Sequence, residues 1–556
     1  MLEQRAGTGR CERADRHARG AFFTPDYIAD FLTRWALAGR VGARILDPTC
    51  GDGAFLRSAS RRLRLLGGGA PHDEQLHGVD IESQSLEDAA RMLRAEGTQA
   101  RLLHLDIFDV SSPADLGVDA IDAVVGNPPF VRYQLFNGSA RSKGLEQCLR
   151  QGVRLSGLSS SWAPVLVHSA SLLSDAGRLA MVLPSELISV NYAQPVRQWL
   201  KTRFQEVTIV CLEGFHFSDA VERVVLLLAR GRGTCTDFRL AYVRDADELG
   251  RFNLERMSVP RSPEAGKWLD LLLSSEQRRC YREAVASHFV SLSHYGRPEL
   301  GTVTGANAFF TLSESTRLRF GVDESDLLRI SPPGTRHLKG LRFTRRDWNL
   351  LRESDARVWM LQPGSDSHSG GLQKYIRLGA LAQVDKAYKC RVRTRWWKPS
   401  AVPAPDLFFT YMSHHYPRLI KNSAGVTYLN SMHGVRLNGS GNRAIAKEAL
   451  PLLMLNSVSM LGAEINGRYY GGGVLKMEPR EAARLPVPTP EHLAAAWLTL
   501  RKERDRLDTS LRDGRWAPVV KRVDEVLLRD TLGSGVEQCE LIQSAVTHLR
   551  RRRLKK

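Results

Sequence analysis

The tetrapeptide Asn127-Pro128-Pro129-Phe130 holds the residues whose types and order point most directly to a reaction. Two consecutive prolines hold the backbone extended and remove two N–H donors, so carbonyl oxygens are left as the polar groups. The Asn127 side-chain carbonyl and the Pro128 backbone carbonyl can both accept hydrogen bonds from one planar amino group. When both N–H groups of the amine donate hydrogen bonds in this way, the nitrogen lone pair is less delocalised into the ring. Phe130 provides a flat apolar surface for that ring. The motif predicts activation of an aromatic amine; the alternative is a tight turn with a buried Phe130.

A glycine-rich turn lies upstream, in the segment Asp47-Pro48-Thr49-Cys50-Gly51-Asp52-Gly53. Glycines between a strand and a helix let the backbone approach a ligand closely. A dinucleotide fingerprint would need a third glycine at position 56, where this sequence has Leu56. The spacing instead places the Asp47 carboxylate at a strand end, where it can face a ligand with an amino group and positive charge. A turn with a purely structural role is the alternative.

Two further carboxylates follow the next two strand-like runs of the sequence. Asp80 can accept hydrogen bonds from both hydroxyls of a ribose, as acids at this position do in nucleotide-binding sheets. Asp106 can accept from the exocyclic amine of an adenine, while Ile107 or Ile81 packs on the ring. A single acid at a strand end is often only a helix cap. Three acids at successive strand ends predict a nucleoside site.

A mostly parallel sheet has to position these residues, because residues 22–230 alternate strand-like runs with helix-period stretches. The predicted strands are Ala43–Leu46, Leu76–Ile81, Leu102–Phe108, Ala123–Val125, Leu179–Leu183, Val207–Leu212 and Val224–Ala229. The predicted helices are Ile28–Leu37, Leu86–Leu93 and Val165–Leu173 in this half, with Leu493–Leu511 and Val519–Leu528 near the other end. A short connection between the last two strands predicts an antiparallel pair at one edge of the sheet.

In the order of these motifs the sequence resembles the gamma-class N6-adenine DNA methyltransferases, which include the type II modification enzymes of restriction systems. The resemblance is strong over about 22–230 and patchy from 290 to 530, where three short segments resemble landmarks of the family's recognition region. These segments are Gly301–Asn307, Tyr469–Lys476 and Leu485–Pro488. The resemblance implies transfer of a methyl group from S-adenosylmethionine to the N6 amine of an adenine flipped out of duplex DNA.

The resemblance also implies roles for individual residues. Phe23-Thr24-Pro25 would contact the methionine part of the cofactor, and Phe130 and Phe217 would stack on the flipped base, although Phe215 is only two residues away. The catalytic residues would be Asn127, Pro128, Pro129 and Phe130. The cofactor-binding residues would be Phe23, Thr24, Pro25, Asp47, Thr49, Cys50, Gly51, Gly53, Asp80, Ile81, Asp106 and Ile107.

The expected fold class is α/β. A Rossmann-like class I methyltransferase domain, with a mostly parallel sheet and an antiparallel edge strand, would precede a mixed α+β DNA target-recognition region and C-terminal helices. The expected segments are an N-terminal tail at 1–21, the catalytic domain at 22–240, the target-recognition domain at 241–490 and a helical segment with a basic tail at 491–556.

The charge of the chain is divided unevenly between its halves. The net charge is +19, and residues 1–240 contribute 28 basic and 27 acidic side chains, so nearly all of the excess lies beyond residue 240. Such segregation favours a polyanionic partner, here duplex DNA. The best candidate for contact is the basic and aromatic stretch Arg391, Arg393, Arg395, Trp396, Trp397 and Lys398. Its alternative is a buried tryptophan pair with arginines that extend to the surface.

Several classes of protein are excluded or disfavoured by composition. The eight cysteines are scattered singly, which argues against a metal site and a disulfide framework. Apolar runs are too short for a membrane span and the N-terminus lacks an apolar signal core, so a cytoplasmic, nucleoid-associated protein is expected. A separately encoded restriction endonuclease or another defence partner is possible. The remaining alternatives are methylation of N4 of cytosine, an RNA base amine or a protein glutamine, and a non-catalytic DNA-binding protein with a relic methyltransferase fold.

Overall fold

The computed structural model describes residues 24–67, 69, 74–157, 159–190, 192–212, 224–243, 245–252, 268–364, 370–439 and 443–554. The chain divides into two compact units, Met1–Leu272 and Leu273–Lys556. The boundary expected at residue 240 falls inside a strand of the first unit, so that unit continues to Leu272. Residues 491–556 belong to the same compact unit as most of the segment expected to recognise DNA, since that unit begins at Leu273.

The first unit is an α/β structure. Its strands are β1 (Ile45–Asp47), β2 (Leu76–Asp80), β3 (Arg101–His104), β4 (Ile121–Gly126), β5 (Leu173–Pro184), β6 (Phe204–Leu212), β7 (Val224–Arg232) and β8 (Asp237–Val243). Its helices are α1 (Asp26–Leu37), α2 (Ala54–Leu65), α3 (Ser83–Ala95), α4 (Gly138–Arg150), α5 (Trp162–Ser171), α6 (Glu186–Ser189), α7 (Gln194–Arg203) and α8 (Ala246–Arg251).

These strands form one sheet in the order β3-β2-β1-β4-β5-β7-β6-β8. Within the group β1 to β5, every pair of neighbouring strands is parallel. Strand β7 is antiparallel to both of its neighbours, β5 and β6. The predicted parallel sheet and the antiparallel pairing of β6 with β7 are therefore confirmed. The edge position predicted for that pair is wrong, because β7 inserts between β5 and β6 and β8 continues the sheet.

The centre of the sheet is covered on both faces. Ala123, Val124 and Val125 of β4 are all fully buried, and successive strand residues point to opposite faces. Strand β3 ends at His104, earlier than predicted, because the Asp106 side chain accepts a hydrogen bond from the Phe108 backbone N–H and caps a short 3-10 turn. Since the strand order reverses between β1 and β4, the crevice in which sheets of this kind bind ligands is expected outside the carboxyl ends of these two strands.

The second unit is a mixed α+β structure. Its strands are β9 (Phe289–Ser291), β10 (Gly296–Leu300), β11 (Thr311–Leu312), β12 (Leu327–Arg329), β13 (Arg342–Phe343), β14 (Trp359–Leu361), β15 (Leu407–Phe409), β16 (Met412–Ser413), β17 (Leu419–Asn422), β18 (His433–Leu437), β19 (Arg468–Tyr470), β20 (Val474–Lys476) and β21 (Pro486–Pro488). They form small sheets in the orders β10-β18-β15-β17-β13, β11-β14-β12, β16-β20-β19 and β21-β9. Aromatic residues such as Trp348, Trp359 and Phe408 fill the core between them.

The helices of this unit are α9 (Ser275–His288), α10 (Leu292–Tyr295), α11 (Asn307–Phe310), α12 (Glu314–Phe320), α13 (Arg345–Glu353), α14 (Gly370–Leu381), α15 (Tyr388–Arg391), α16 (Arg443–Leu453), α17 (Ser457–Asn466), α18 (Pro479–Ala483), α19 (Pro490–Leu500), α20 (Arg504–Arg512), α21 (Trp516–Asp524) and α22 (Val536–Leu554). The single helix predicted over Leu493–Leu511 is wrong, since the chain breaks it into α19 and α20. Within the described ranges no single helix is long and apolar enough to cross a membrane; α16 and α17 pass only as a pair bent by 80°.

One arginine of the basic segment near the end of α22 is buried in the second unit, whereas Arg551 is exposed. The guanidinium of Arg553 is completely buried and forms an ion pair with the buried Glu464 carboxylate at 2.9 Å. Its remaining N–H groups donate to the backbone carbonyls of His414, His415 and Gly473. This arginine therefore holds together the segments around β16 and β20.

Candidate active site

The sheet brings the predicted catalytic and cofactor residues to one edge. Strand β1 pairs in parallel with both β2 and β4, so Asp47, the last residue of β1, and Asn127, the first residue after β4, lie at the same ends of neighbouring strands. Asp47 lies directly against Gly126, because a Cβ atom at Gly126 would be only 2.8 Å from Asp47 Oδ1. The carboxylate expected to face the cofactor therefore lies beside the residue that precedes the predicted catalytic tetrapeptide.

The glycine-rich turn connects β1 to α2 and is held by the two neighbouring acids. The Gly51 N–H donates to Asp80 Oδ2 at 2.8 Å, and the Thr49 N–H donates to Asp47 Oδ1 at 3.2 Å. Gly51 and Gly53 have φ angles of +52° and +84°, which L side chains rarely adopt. The Cys50 sulfur packs against Gly78 of the neighbouring strand β2.

The electrostatic environment of this turn suits a cationic ligand. Burial raises the pKa of Asp47 well above its ordinary value, and the nearby Asp80 and Asp52 carboxylates raise it further. The Thr49 hydroxyl oxygen is also buried, and it has no hydrogen-bond partner among the residues that the structure describes. A ligand that supplied positive charge and polar atoms here would stabilise the Asp47 carboxylate and satisfy Thr49. The residues present therefore fit the amino acid and sulfonium part of S-adenosylmethionine.

The expected ribose and adenine residues lie at the ends of β2 and β3. Besides its bond with Gly51, Asp80 accepts from the Glu82 N–H through Oδ1 at 2.9 Å. Ile81 is 65% exposed, whereas Ile107 is buried, so of the two predicted ring contacts Ile81 has the accessible side chain. The buried His168 fixes the turn after Asp106, since its Nε2 donates to the Ile107 and Val110 carbonyls at 3.0 and 2.9 Å.

Asn127 is oriented by the element predicted to lie near the cofactor. Its Nδ2 donates to Thr24 Oγ1 at 3.2 Å, and Pro25 then precedes the first residue of α1. Because the amino end of the amide is engaged in this way, its carbonyl oxygen is the end that can accept from an amine donor. Phe23 lies outside the described residues, as do Phe215 and Phe217.

Ser161, at the start of α5, holds the backbone of the tetrapeptide. Its hydroxyl donates to the Pro129 carbonyl and accepts from the Val131 N–H at 2.9 Å, while its own N–H donates to the Val131 carbonyl at 3.0 Å. Phe130 is buried beside it, with 6% of its surface exposed. The sequence analysis missed Ser161 and His168; for Ser161 the serines at 159–161 before a helix-period stretch were a possible sign of a helix cap.

The predicted DNA-binding residues lie in the second unit and divide into two groups. Arg391 is exposed at the end of α15. Arg393 is committed to the fold, because it donates to the Val303 carbonyl at 2.7 Å and lies over the Phe310 ring. Trp396 packs on the aromatic core of this unit, and Trp397 contacts Trp396 edge to face. Lys398 and Arg395 are half-buried.

One of the landmarks expected in the recognition region contacts this stretch, through the bond between Arg393 and the Val303 carbonyl, and also packs against Lys389 just before it. Gly305, in the segment Gly301–Asn307, has a φ angle of +88° and lies so close to Lys389 that a Cβ atom would be 2.8 Å from that residue's Cβ. Two sequence features that were predicted separately, the Gly301–Asn307 landmark and the basic and aromatic stretch, therefore form one local structure.

Each of the two units of the chain matches a known protein family over most of its length. Residues 11–253 match the family described as "N-6 DNA Methylase", and residues 265–528 match the family described as "Type II methyltransferase M.Eco57I, C-terminal domain". The chain is 23% identical to the type II methyltransferase M.AccI of Acinetobacter calcoaceticus, over 83% of each protein. It is 25% identical to the type II methyltransferase M.XamI of Xanthomonas campestris pv. amaranthicola, over 86% of each protein.

The fold has a counterpart among solved structures. The type IIL restriction-modification enzyme MmeI, in a complex with DNA, superposes with a TM-score of 0.55 at 13% identity, over 95% of this chain and 75% of that one. At this identity the likeness concerns the fold alone, and it includes the parallel sheet that carries the Asp47 and Asn127 edge. The sheet, the two family matches and the relatives of similar length agree: the chain belongs to the type II N6-adenine DNA methyltransferases.

Proposed function

We propose that this protein methylates the N6 amine of an adenine flipped out of a specific sequence in duplex DNA, with the gamma-class order of motifs. The observation that best supports the proposal is the hydrogen bond between Asn127 and Thr24, together with the close contact between the Asp47 carboxylate and Gly126. It joins the cofactor end of the crevice to the tetrapeptide that would activate the amine. The order Thr24, glycine-rich turn and tetrapeptide along the chain supports the gamma class.

S-adenosylmethionine is the cofactor that these residues would hold. Asp47 would face its charged amino acid part, Asp80 its ribose hydroxyls and Asp106 its adenine amine, with Ile81 over the ring. When bound, this cofactor supplies a methyl group on a positively charged sulfur; the nitrogen lone pair would bond to the methyl carbon as the carbon–sulfur bond breaks, and the nitrogen would then release a proton to solvent. The chain's own contribution is to orient the reactants and keep water away from them.

The tetrapeptide would prepare the amine for attack. Asn127 Oδ1 and the Pro128 carbonyl would each accept one hydrogen of the adenine amino group, which opposes delocalisation of its lone pair into the ring. Because Ser161 occupies the Pro129 carbonyl, that oxygen does not compete for the amine. Ser161 also holds Val131, so both acceptors are in place before the base arrives and little reorganisation is needed.

Recognition of DNA would depend mainly on the second half of the chain, where the positive charge is concentrated. Phosphate contacts would come from exposed cations such as Arg391, with Arg395 and Lys398 beside it. Phe130 would form the wall of the base pocket, and Phe217 would stack on the flipped base. The setting would be the nucleoid in the cytoplasm, within a restriction-modification or phage-defence system whose partner is a separately encoded restriction endonuclease or another defence protein.

The family matches favour this reading over the other amine substrates. A match to a DNA N6 methylase family and relatives that are type II methyltransferases agree with adenine in DNA more than with N4-cytosine, an RNA base or a protein glutamine. A relic fold without catalysis is disfavoured because Asn127, Asp47 and Asp80 are all present and hydrogen-bonded in the crevice.

Single-molecule sequencing of DNA from cells with and without the gene tests the proposal directly. We expect N6-methyladenine in one short sequence context only when the wild-type gene is present. The variant Asn127→Ala should lose at least about 10²-fold in methylation rate, by analogy with the loss of one preorganised polar group. Cofactor and DNA binding should remain. Methylation of another base, or normal methylation by Asn127→Ala, would overturn the proposal.

A further inference from the structure

The segment that follows the tetrapeptide, Val131–Asn137, exposes two large apolar side chains. Tyr133 is 37% exposed and Leu135 is 61% exposed, whereas Phe136 beside them is buried. Single exposed apolar residues are common on protein surfaces and need no special explanation. This pair differs because it stands on a loop that begins directly after Phe130. We call Val131–Asn137 the wedge loop.

The backbone of the wedge loop is held at both ends. The N–H groups of Leu135 and Phe136 both donate to the Arg132 carbonyl at 2.9 Å, which closes a tight turn. Arg141 of α4 donates from Nη1 to the carbonyls of Tyr133 and Phe136, at 3.3 and 3.2 Å. At its start, the loop is fixed by the two hydrogen bonds between Val131 and Ser161.

Arg141 is itself anchored away from the loop. A second nitrogen of its guanidinium, Nη2, donates to the Gly157 carbonyl in the segment before α5. The arginine therefore braces the tip against the same part of the unit that supplies Ser161. The exposed side chains of Tyr133 and Leu135 project from a fixed base, at little additional cost in conformational entropy on binding.

We propose that Tyr133 and Leu135 form a wedge that enters duplex DNA at the position vacated by the target adenine. The inference rests on the proposed function, because a base must leave the stack before its amine can reach the tetrapeptide. Extrusion opens a gap in which the neighbouring bases are no longer stacked on one side, and apolar side chains inserted between base steps can fill it. The planar Tyr133 ring and the branched Leu135 side chain have the shapes that such a gap accepts.

The position of the loop supports this occupant over a protein partner. The tip departs from the tetrapeptide after Val131 and Arg132, so it remains beside the site to which the flipped adenine would be brought. Arg132 at the base of the turn is exposed and carries positive charge next to the apolar tip. An apolar tip beside a cation suits the stacked bases and phosphates of DNA.

The test compares methylation of two duplexes by the full-length chain. Both contain the target sequence found by sequencing; in one the adenine is paired with thymine, and in the other it lies opposite an abasic site, where extrusion is easier. We expect Tyr133→Ala and Leu135→Ala to lower the single-turnover rate on the paired duplex at least about tenfold. On the abasic duplex the same variants should come within about threefold of the wild-type rate.

Leu149→Ala is the matched control, because Leu149 on α4 is also a leucine that is 59% exposed. It should match the wild type on both duplexes, and Leu135→Phe, which keeps an apolar side chain, should retain the rate on the paired duplex. Wild-type rates for both alanine variants on the paired duplex would overturn the proposal. Equal losses on the two duplexes would also overturn it, since they indicate a damaged loop. Absence of adenine methylation by the wild type would instead contradict the proposed function.

Discussion

Asn127 Nδ2 and Thr24 Oγ1 are joined by a hydrogen bond of 3.2 Å across a separation of 103 residues. The bond connects the residue proposed to activate the amine with an element that the sequence pattern assigns to the cofactor. Rotation of the Asn127 amide would exchange its acceptor and donor ends, and only one orientation presents an oxygen to an incoming amine. The bond to Thr24 is therefore one contact that holds the amide with its oxygen available to the amine.

Thr24→Val removes the acceptor of this bond while keeping the shape of the side chain. We expect kcat to fall about tenfold, the order of one lost hydrogen bond, in addition to any rise in the Kd for S-adenosylmethionine that comes from a weakened cofactor contact. Thr24→Ser keeps the hydroxyl and should restore kcat. Steady-state kinetics and calorimetric titration of the three proteins provide the comparison. A higher Kd with normal kcat would mean that Thr24 is only the cofactor contact that the resemblance implies and does not position Asn127.

Ser161→Ala should separate positioning of the tetrapeptide from overall stability. It removes the donor to the Pro129 carbonyl and the acceptor of the Val131 N–H, so the backbone beside the proposed acceptors can relax. We expect kcat to fall roughly tenfold to a hundredfold, from two lost hydrogen bonds. Ser171→Ala is the control, since the Ser171 hydroxyl at the end of the same helix donates to the His168 carbonyl, at 2.6 Å, away from the tetrapeptide. Equal losses in both variants, in proportion to melting temperature, would mean that Ser161 acts only on stability.

Cofactor binding should depend on pH through Asp47. Burial raises the pKa of this carboxyl in the free protein, and a cation placed beside it favours the charged form and lowers the pKa. Below the raised pKa, binding must therefore release a proton, so affinity falls as pH falls through that pKa. Calorimetry in two buffers with different ionisation enthalpies measures the proton released. Asp47→Asn should bind more weakly and without this dependence; a wild-type profile as flat as the variant's would refute the assignment.

Arg391 and Arg393 should differ in what their substitution affects. Arg391→Gln removes an exposed cation, so the slope of log affinity against log salt should flatten by about 0.9 for each phosphate that this side chain neutralises. Arg393→Gln removes the bond to the Val303 carbonyl and the packing over Phe310, so it should lower the melting temperature. Salt titrations of DNA binding and thermal melts distinguish the two effects. An unchanged slope in Arg391→Gln would place the DNA surface elsewhere on the second unit.

Much of the first unit could be predicted because short apolar runs that end at polar residues are strong signals of parallel strands. That reasoning placed Asp47, Asp80 and Asn127 at one edge of a sheet, and the structure brings them there. The position of β7 could not be predicted in the same way. Pairing of β7 with β5 depends on which strands dock side by side, which local pattern does not specify.

The hydrogen bonds that hold the site together could not be predicted from the sequence, for a different reason. Ser161 meets Pro129 across 32 residues, and a serine before a helix looks the same whether or not it also touches a distant loop. The arginines near Trp396 have equivalent neighbours in the sequence, yet Arg393 is bound within the fold and Arg391 is exposed. The partial burial of Arg393 and the exposure of Arg391 follow from the packing of this stretch on the Gly301–Asn307 segment.

The position of β4 between β1 and β5 affects how the protein folds to its active form. Ile45 of β1 pairs with Ala123 of β4. The site between these strands is therefore complete only after β4, which lies far along the chain from β1, has inserted into the middle of the sheet. Contacts of such large sequence separation form slowly, because a long loop must be closed before they gain anything. Partly folded chains can therefore contain most of their helices and no cofactor site. The cofactor, which can bind only the completed sheet, will pull the folding equilibrium toward chains in which β4 is already in place.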